Sequence, residues 1–347
     1  MLRDLLISRI QNHIPFVPRP FEALGRELNL SEEEILRELR KLKEERIVRQ
    51  ISPIYSAKAV GYDSALVAFR VDPSRIEEVA AVVSEHPGVS HNYEREHDFN
   101  LWFTLAVPPD APLSIEDTVS RMAERTGVRD YVILRTVRSF KLSVKLDYGS
   151  LSEREREAVE GGDTVRRFLS EEEKEIVRVT QRDVPLIPRP FEALARELGV
   201  SEEFLIEKLA SFKEEGVIRR FAAILHHRKA GFRANGMTVW RVPPQRVEEV
   251  GRFLASFRSV SHCYERTTNH LWEYNLFTMI HGRSREEVVS FVERVGKEIQ
   301  IEDYRILFST REFKKRRIEL FSEEFYEREG KQVGVHAHEG EDLAGGS

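Results

Sequence analysis

Apolar residues change their spacing along this chain in a set order. Near the start they fall three and four apart. Phe21, Leu24 and Leu28 share one face of a helix opened by Pro20, and Ile35, Leu39 and Leu42 line the inner face of the next. Ser31 and Glu34 have the spacing of a capping box, which marks the start of that second helix. The segment IVRQISPIYS reads as a hairpin, so the first unit is predicted to be a winged helix-turn-helix. The pattern then alternates between strand and helix. SALVAFRV is a strand, 73–86 a helix, 89–95 and 99–107 strands, 115–126 a helix and 131–140 a strand. That βαββαβ order is ferredoxin-like.

The whole order then returns. VPRPFEAL at Val17–Leu24 recurs as IPRPFEAL at Ile187–Leu194, 170 residues later (187 minus 17). GVSHNYER recurs as SVSHCYER, FNLWFTLAV as YNLFTMIHG, and DYVILRTVRSFK as DYRILFSTREFK. Two homologous α+β units in tandem imply a pseudo-dimer within one polypeptide. The expected boundaries are a winged helix-turn-helix at 1–62, a ferredoxin-like domain at 63–148, a polar linker at 149–168, a second winged unit at 169–232, a second ferredoxin-like domain at 233–321, and an unstructured tail at 322–347.

Composition narrows the class. The chain has 347 residues, 41% apolar and 33% charged, with a net charge of −5, so nothing global calls for a polyanionic partner. No apolar run approaches the roughly 20 residues of a membrane span. The first residues are too mixed for a secretory signal. Cys263 is the single cysteine, which excludes an internal disulfide or a cysteine metal cluster. These features point to a cytoplasmic protein with no membrane partner.

A winged helix followed by a ferredoxin-like domain resembles the leucine-responsive/asparagine-responsive transcription regulators, whose fold implies DNA binding. The charges argue otherwise. The first recognition segment, SEEEILRELRKLKEER, has six acidic and five basic residues and leads with Glu32, Glu33 and Glu34. The second, SEEFLIEKLASFKEEGV, has five acidic and two basic and leads with Glu202 and Glu203. Carboxylates repel phosphate, and affinity from counterion release needs cations. No nucleic-acid partner is therefore expected, and the leading carboxylates read as partners of the helix dipole.

Chemistry-bearing residues concentrate in the second half. Five of the eleven histidines, His226, His227, His262, His270 and His281, lie between 226 and 281. Arg228, Lys229, Arg233, Arg241 and Arg266 accompany them, with Tyr264, Trp272, Tyr274 and Asn275. His262, Tyr264 and Arg266 share a strand face by the period of two. The first half keeps His91, Tyr93 and Arg95 on one face, with His97 beyond and Arg70 matching Arg241. It has Ser56 and Ala57 for the His226–His227 pair, and Ala106 for His281. The second half is therefore expected to hold the working site. Taken singly, a strand histidine is ordinarily a satisfied surface or core residue, a Tyr-x-Arg pair is cross-strand packing, and Trp102, Trp272 and Phe277 are core. Together, arginines, histidines and aromatics on one cleft suit a flat, apolar, multiply anionic ligand such as a porphyrinoid.

At VSHNYEREHDFNLWFTL, VSHCYERTTNHLWEYNLFTMIHG and GMTVWRVP the chain resembles the two subunit types of the siroheme decarboxylases, here fused, over about residues 1–320. Ordinary regulators tend to have a Gly-Asp turn where this chain has EHDFN and TTNHLWEYN. The resemblance implies removal of carbon dioxide from two acetate side chains of siroheme, giving 12,18-didecarboxysiroheme for heme or heme d1 synthesis. The macrocycle would be the electron sink, so no cofactor beyond the substrate's iron is expected, and no Gly-rich phosphate loop is present to hold one. Arg241 and Arg266, with Arg233, are the expected carboxylate clamps. His226 or His227, with His262, are the expected proton donors, and Tyr264 is the alternative. Trp272, Tyr274, Asn275 and His281 would line the site. His270 would be an axial ligand of the substrate iron or a lid contact. Arg70, His91, Tyr93, Arg95 and His97 would either complete the site across the pseudo-dimer interface or form a second, degenerate one. Further self-association is open. Two other readings are a transcription regulator with a small effector and a heme-binding sensor without catalysis.

Overall fold

The computed structural model describes residues 2–142, 166–225 and 234–330. Each half opens on three helices: α1 (Leu2–Asn12), α2 (Pro20–Leu28) and α3 (Glu32–Glu44), then after the first half's remaining elements α6 (Glu171–Thr180), α7 (Pro190–Leu198) and α8 (Glu202–Glu214). The sequence pattern located α2 and α3 but not α1. Charges interrupt its apolar positions, yet Leu6 and Ile10 are fully buried. Ser31 and Glu34 form the expected reciprocal cap. Pro20 and Pro190 stand at the first turn of α2 and α7, and Phe21, Leu24 and Phe191 enter one core. Arg19 caps this corner by pairing with Glu32, and Arg189 pairs with Glu202 in the same way. The repeated PRPFEAL is thus a scaffold element.

The predicted hairpin does not form. Residues 48–55 run as one strand, β1 (Val48–Tyr55), with no turn inside them. Its partner is its counterpart β6 (Ile218–Leu225), antiparallel, with Ser52 opposite Ala222. The two wings have become one sheet across the halves. Ile51, Tyr55, Phe212 and Phe221 therefore share a core that neither helical unit has alone.

The ferredoxin-like parts follow prediction closely. The first is β2 (Asp63–Phe69), α4 (Ile76–Ser84), β3 (Val89–Arg95), β4 (Leu101–Val107), α5 (Ile115–Thr126) and β5 (Tyr131–Leu142). The second is β7 (Ala234–Trp240), α9 (Val247–Ala255), β8 (Val260–Arg266), β9 (Leu276–Gly282), α10 (Arg285–Ile299) and β10 (Tyr304–Lys315). The eight strands close into a barrel in the order β10-β3-β4-β2-β5-β8-β9-β7. Each half contributes four neighbouring strands, and the seams are β5–β8 and β10–β3. Strand alternation sends Val67, Phe69 and Phe103 outward to the helices and Leu66, Ala68, Trp102, Val239 and Phe277 into the barrel. At Gly251 a β-carbon would lie 2.5 Å from the Phe140 ring, so α9 meets β5 where only glycine fits.

Two boundaries differ from expectation. Residues 323–330, assigned to an unstructured tail, form a helix that lies on the first half. Phe325 joins the core under α4, and Glu329 hydrogen-bonds buried His86 at 2.9 Å. The end of the linker is also tied down, because Arg167 pairs with Glu173 and Glu215 and its amide donates to the Ala59 carbonyl. Three ladders thus join the halves. A chain cleaved once between residues 143 and 165 is expected to elute as one complex of both fragments in size-exclusion chromatography without denaturant. Separation of the fragments at micromolar concentration would contradict this account.

Candidate active site

All strand pairs of the barrel are antiparallel, so each rim collects one set of ends. One rim holds His91 and His262 near the starts of β3 and β8, His281 near the end of β9, Asn235 at the start of β7 and Lys315 at the end of β10. β3 and β8 lie four strands apart whichever way the barrel is followed, so His91 and His262 face each other across its mouth. Each continues inward as the same stack. His262 lies 6.0 Å from the Tyr264 ring, and the Arg266 guanidinium lies 5.1 Å from that ring. His91 lies 6.2 Å from Tyr93, and Arg95 lies 5.4 Å from it. The sequence reading of a shared face holds for both triplets.

The two buried arginines are anchored by backbone. Arg266 donates to the Leu134 carbonyl at 3.2 Å, and Arg95 to the Leu307 carbonyl at 3.1 Å. The Nε of each is buried with no hydrogen-bond partner. Burial pushes both guanidiniums down to about 10, so they remain charged at neutral pH. Burial also pushes His262 and His281 down to about 4. His281, His91 and Arg266 add to the effect on His262, and Lys315 to that on His281. Burial lifts the Tyr93 phenol to about 12 and raises that of Tyr264. At neutral pH the mouth thus holds neutral imidazoles and neutral phenols over fixed cations.

Sequence reasoning missed a second set of cations. Arg49 on β1 and Arg219 on β6 are repeat equivalents, 170 residues apart (219 minus 49). Arg317 follows β10 and shares a cavity with Arg49. Burial, then the charges of Arg219 and Arg49, lower Arg317 below its ordinary value, and the charge of Arg219 reaches Tyr264 as well. None of the three has an acidic partner among the described residues. The signal was VRQ answering IRR at the end of each helical unit, inside the segment read as a hairpin.

The remaining expected site residues lie at the opposite rim. Arg241 is paired with Glu273 at 3.0 Å and approaches Asp303 at 3.7 Å. Arg70 is paired with Asp130 at 2.9 Å. Asn275 clamps the backbone of Val242 with both amide atoms, as Asn100 clamps Val71. Trp272 is buried against Trp102, with its indole donating to the Tyr274 carbonyl. Tyr274 donates to Asp303 at 3.2 Å. His97 and His270 line a small pocket with Arg70 beside this aromatic layer. The layer of Trp102, Trp272 and Phe277 fills the barrel between His270 and His262. The structure therefore divides the expected site between two ends of the barrel. His226, His227, Arg228, Lys229 and Arg233 lie outside the described residues, and Ala234, which follows them, opens β7 at the histidine rim. Among the described residues no cluster of His, Cys, Asp or Glu is arranged to hold a metal. No described helix is long and apolar enough to cross a membrane.

Known proteins resemble the chain throughout. An AsnC-like ligand binding domain matches residues 59–141 and 229–314, and a siroheme decarboxylase NirDL-like HTH domain matches residues 4–49 and 173–219. A siroheme decarboxylase of Hydrogenobacter thermophilus is 52% identical over 322 residues, 93% of this chain and 96% of that protein. A siroheme decarboxylase beta subunit of Methanosarcina barkeri is 41% identical over 42% of this chain and 95% of its own length, so one half here corresponds to a whole subunit there. The crystal structure of the siroheme decarboxylase NirDL superposes with a TM-score of 0.82 at 46% identity, covering 97% of this chain and 100% of that one. A co-complex of that enzyme with an iron-uroporphyrin III analogue superposes with the same TM-score of 0.82.

The histidine rim has a consequence for stability. A histidine held at about 4 in the fold returns to about 6.5 when unfolded, so the unfolded chain takes up protons first as pH falls. His262 and His281 are each expected to withdraw on the order of 1–2 kcal/mol of stability between pH 7 and pH 5. Urea midpoints of the ligand-free protein at these two pH values check this. The His262→Gln/His281→Gln variant should lose less stability over the interval than the parent, and equal losses would refute the burial of these imidazoles as neutral groups.

Proposed function

The chain belongs to the siroheme decarboxylase family, and from that premise we propose that it removes carbon dioxide from two acetate side chains of siroheme at the histidine rim, giving 12,18-didecarboxysiroheme. The observation that carries this placement is the pair His91 and His262, facing across a mouth beside three arginines without carboxylate partners. A tetrapyrrole with many carboxylates matches such a surface. Arg49, Arg219 and Arg317 hold peripheral carboxylates from above, and Tyr93 and Tyr264 present aromatic faces along the walls. Arg95 and Arg266 sit deeper and supply fixed positive potential at the floor.

The chemistry follows from this environment. An acetate loses carbon dioxide when the electron pair left on its methylene carbon is taken into the conjugated ring. That carbon then needs one proton. His262 is the donor best placed to supply it, with His91 opposite and His226 or His227 on the segment leading to β7. Tyr264 is a poorer donor because burial raises its phenol. Desolvation of the acetate as it enters the mouth favours loss of its charge as neutral carbon dioxide. The macrocycle is its own electron sink, so the reaction needs no cofactor beyond the substrate's iron. The iron-ligand role first considered for His270 does not suit this placement, because the aromatic layer stands between it and the mouth.

A DNA-reading role has little support here. The groove-facing turns of α3 and α8 carry Glu32 and Glu202, held by Arg19 and Arg189. A heme sensor would use the same cleft and differ only in leaving the substrate unchanged.

Anaerobic incubation with siroheme, followed by mass spectrometry of the extracted tetrapyrrole, tests the reading. Loss of two carbon dioxide units per molecule is the expected result, and unchanged siroheme with a shifted absorption band would favour the sensor. Arg49→Ala and Arg219→Ala are expected to weaken siroheme binding by about ten- to a hundred-fold each in an absorbance titration, the loss of one charge-assisted contact. His262→Ala should lower the turnover rate by about 10²- to 10⁴-fold with binding retained.

A further inference from the structure

The hydrogen bonds around His262 extend further than proton donation alone requires. Ser261 Oγ lies 2.7 Å from His262 Nδ1 and 2.7 Å from His281 Nε2. His281 Nδ1 lies 2.7 Å from Asn235 Oδ1. An amide oxygen has no hydrogen to give, so His281 Nδ1 carries one and donates it. In a neutral ring His281 Nε2 is then a bare lone pair, and the Ser261 hydroxyl must donate to it. Ser261 Oγ in turn accepts from His262 Nδ1–H, which leaves His262 Nε2 bare. One amide thus dictates every hydrogen along four residues. Ser261 is buried and Asn235 is exposed, so the chain runs from solvent to the site.

The first half lacks this chain. Ser64 pairs with Ala106 across β2 and β4, where Asn235 pairs with His281 across β7 and β9. Ser90 Oγ reaches His91 Nδ1 at 2.9 Å and ends on the Thr104 hydroxyl at 2.7 Å. Two hydroxyls can rotate together, so they leave the His91 tautomer open.

We propose that Asn235, His281 and Ser261 are positioning residues that form a proton relay, setting the tautomer of His262 and storing on His281 the proton that His262 delivers. This rests on the decarboxylase reading. In the charged relay the extra proton is on His281, which donates through Nδ1 to Asn235 and through Nε2 to Ser261. His262 then accepts from Ser261 at Nδ1 and presents Nε2–H to the substrate. The acetate C–C bond breaks, carbon dioxide leaves, and its bonding pair enters the macrocycle. The methylene carbon takes the Nε2 proton of His262 to form a new C–H bond. The Ser261 proton moves to His262 Nδ1 and the His281 Nε2 proton moves to Ser261. The relay ends neutral, in the arrangement the structure shows. After the product leaves, one proton from water at the mouth adds to His262 Nε2, the Nδ1 proton returns to Ser261 and the Ser261 proton to His281 Nε2, which restores the charged relay. The groups facing the relay favour release. His262 faces His281, His91 and Arg266, and His281 faces Lys315, so an added proton is held weakly.

The test uses the full-length chain labelled with ¹⁵N-histidine. Nitrogen shifts of the substrate-free protein should show neutral His262 as the Nδ1–H tautomer. Asn235→Leu and Ser261→Ala should return it to the Nε2–H form favoured in water. With siroheme, both variants should slow single-turnover decarboxylation by about ten-fold or more while binding stays unchanged. Asn235→Asp still accepts from His281 and holds its proton more tightly. It should restore the rate and move the alkaline limb of the pH profile to higher pH. The proposal is overturned if wild-type His262 shows the Nε2–H tautomer, or if the variants change the tautomer and leave rate and pH profile intact. A wild type that binds siroheme without decarboxylating it overturns the functional reading instead, and the two failures are distinct because the tautomer is read without substrate.

Discussion

A four-stranded sheet has two open edges, and here each edge is closed by the other half. Alone, β3 and β5 would present rows of unpaired amides and carbonyls, as would β8 and β10, which invites uncontrolled pairing. Joining β5 to β8 and β10 to β3 satisfies both rows at once. The same closure sets the pseudo-two-fold relation between halves and puts β3 opposite β8. His91 faces His262 for that reason. The β1–β6 ladder repeats the device between the helical units and brings Arg49 and Arg219 close to Arg317. A single half would hold one imidazole wall on an open edge, and no site.

The two ends of the barrel differ in how charge is disposed more than in how much there is. At the far rim every arginine considered for the site has a carboxylate: Arg70 has Asp130, and Arg241 has Glu273 and Asp303. These pairs are half exposed, and their net field is small. Arg49, Arg219 and Arg317 oppose one another's charge and form no ion pair among the described residues, while Glu175, Asp183, Glu319, Glu323 and Glu324 line the cavity that Arg49 and Arg317 share. In the proposed placement a chain with an overall charge of −5 meets a polyanion at this local group of cations.

The fold was legible because its determinants are local and repeated. Capping at Ser31, alternation along β3, and the recurrence of PRPFEAL each rest on near neighbours. The hairpin failed because IVRQISPIYS carries no information about its partner. A strand lacking a partner in its own unit looks the same whether it turns back or crosses to another. That error hid Arg49 and Arg219. The strand triplets His91-Tyr93-Arg95 and His262-Tyr264-Arg266 were readable from the period of two. Arg241 and Asn275 were grouped with His262 although they lie at the other rim, because proximity along β7 to β9 says nothing about which end of a barrel a residue occupies. Antiparallel strands place Asn275 and His281, six positions apart, at opposite rims. The helix at 323–330 went unseen because its apolar content, Phe325 and Tyr326, is small and gains meaning only against the core under α4.

Duplication within one chain has a further physical effect. In a homodimer any change in one wall of the mouth appears in the other. A histidine placed like His281 would then occur twice, with its asparagine. Four buried imidazoles and the paired lysines would then share one mouth, each opposing protonation of the rest. Fusion removes the constraint, and the halves have diverged at the affected positions: Asn235 and His281 on one side, Ser64 and Ala106 on the other. A two-fold symmetric mouth also offers a flat ligand two equivalent poses. Unlike walls make the poses unequal in energy, and in the proposed placement this presents one edge of the macrocycle to His262 in preference to the other. For a substrate that must lose only certain of its acidic side chains, that inequality is a source of selectivity that identical subunits could not supply.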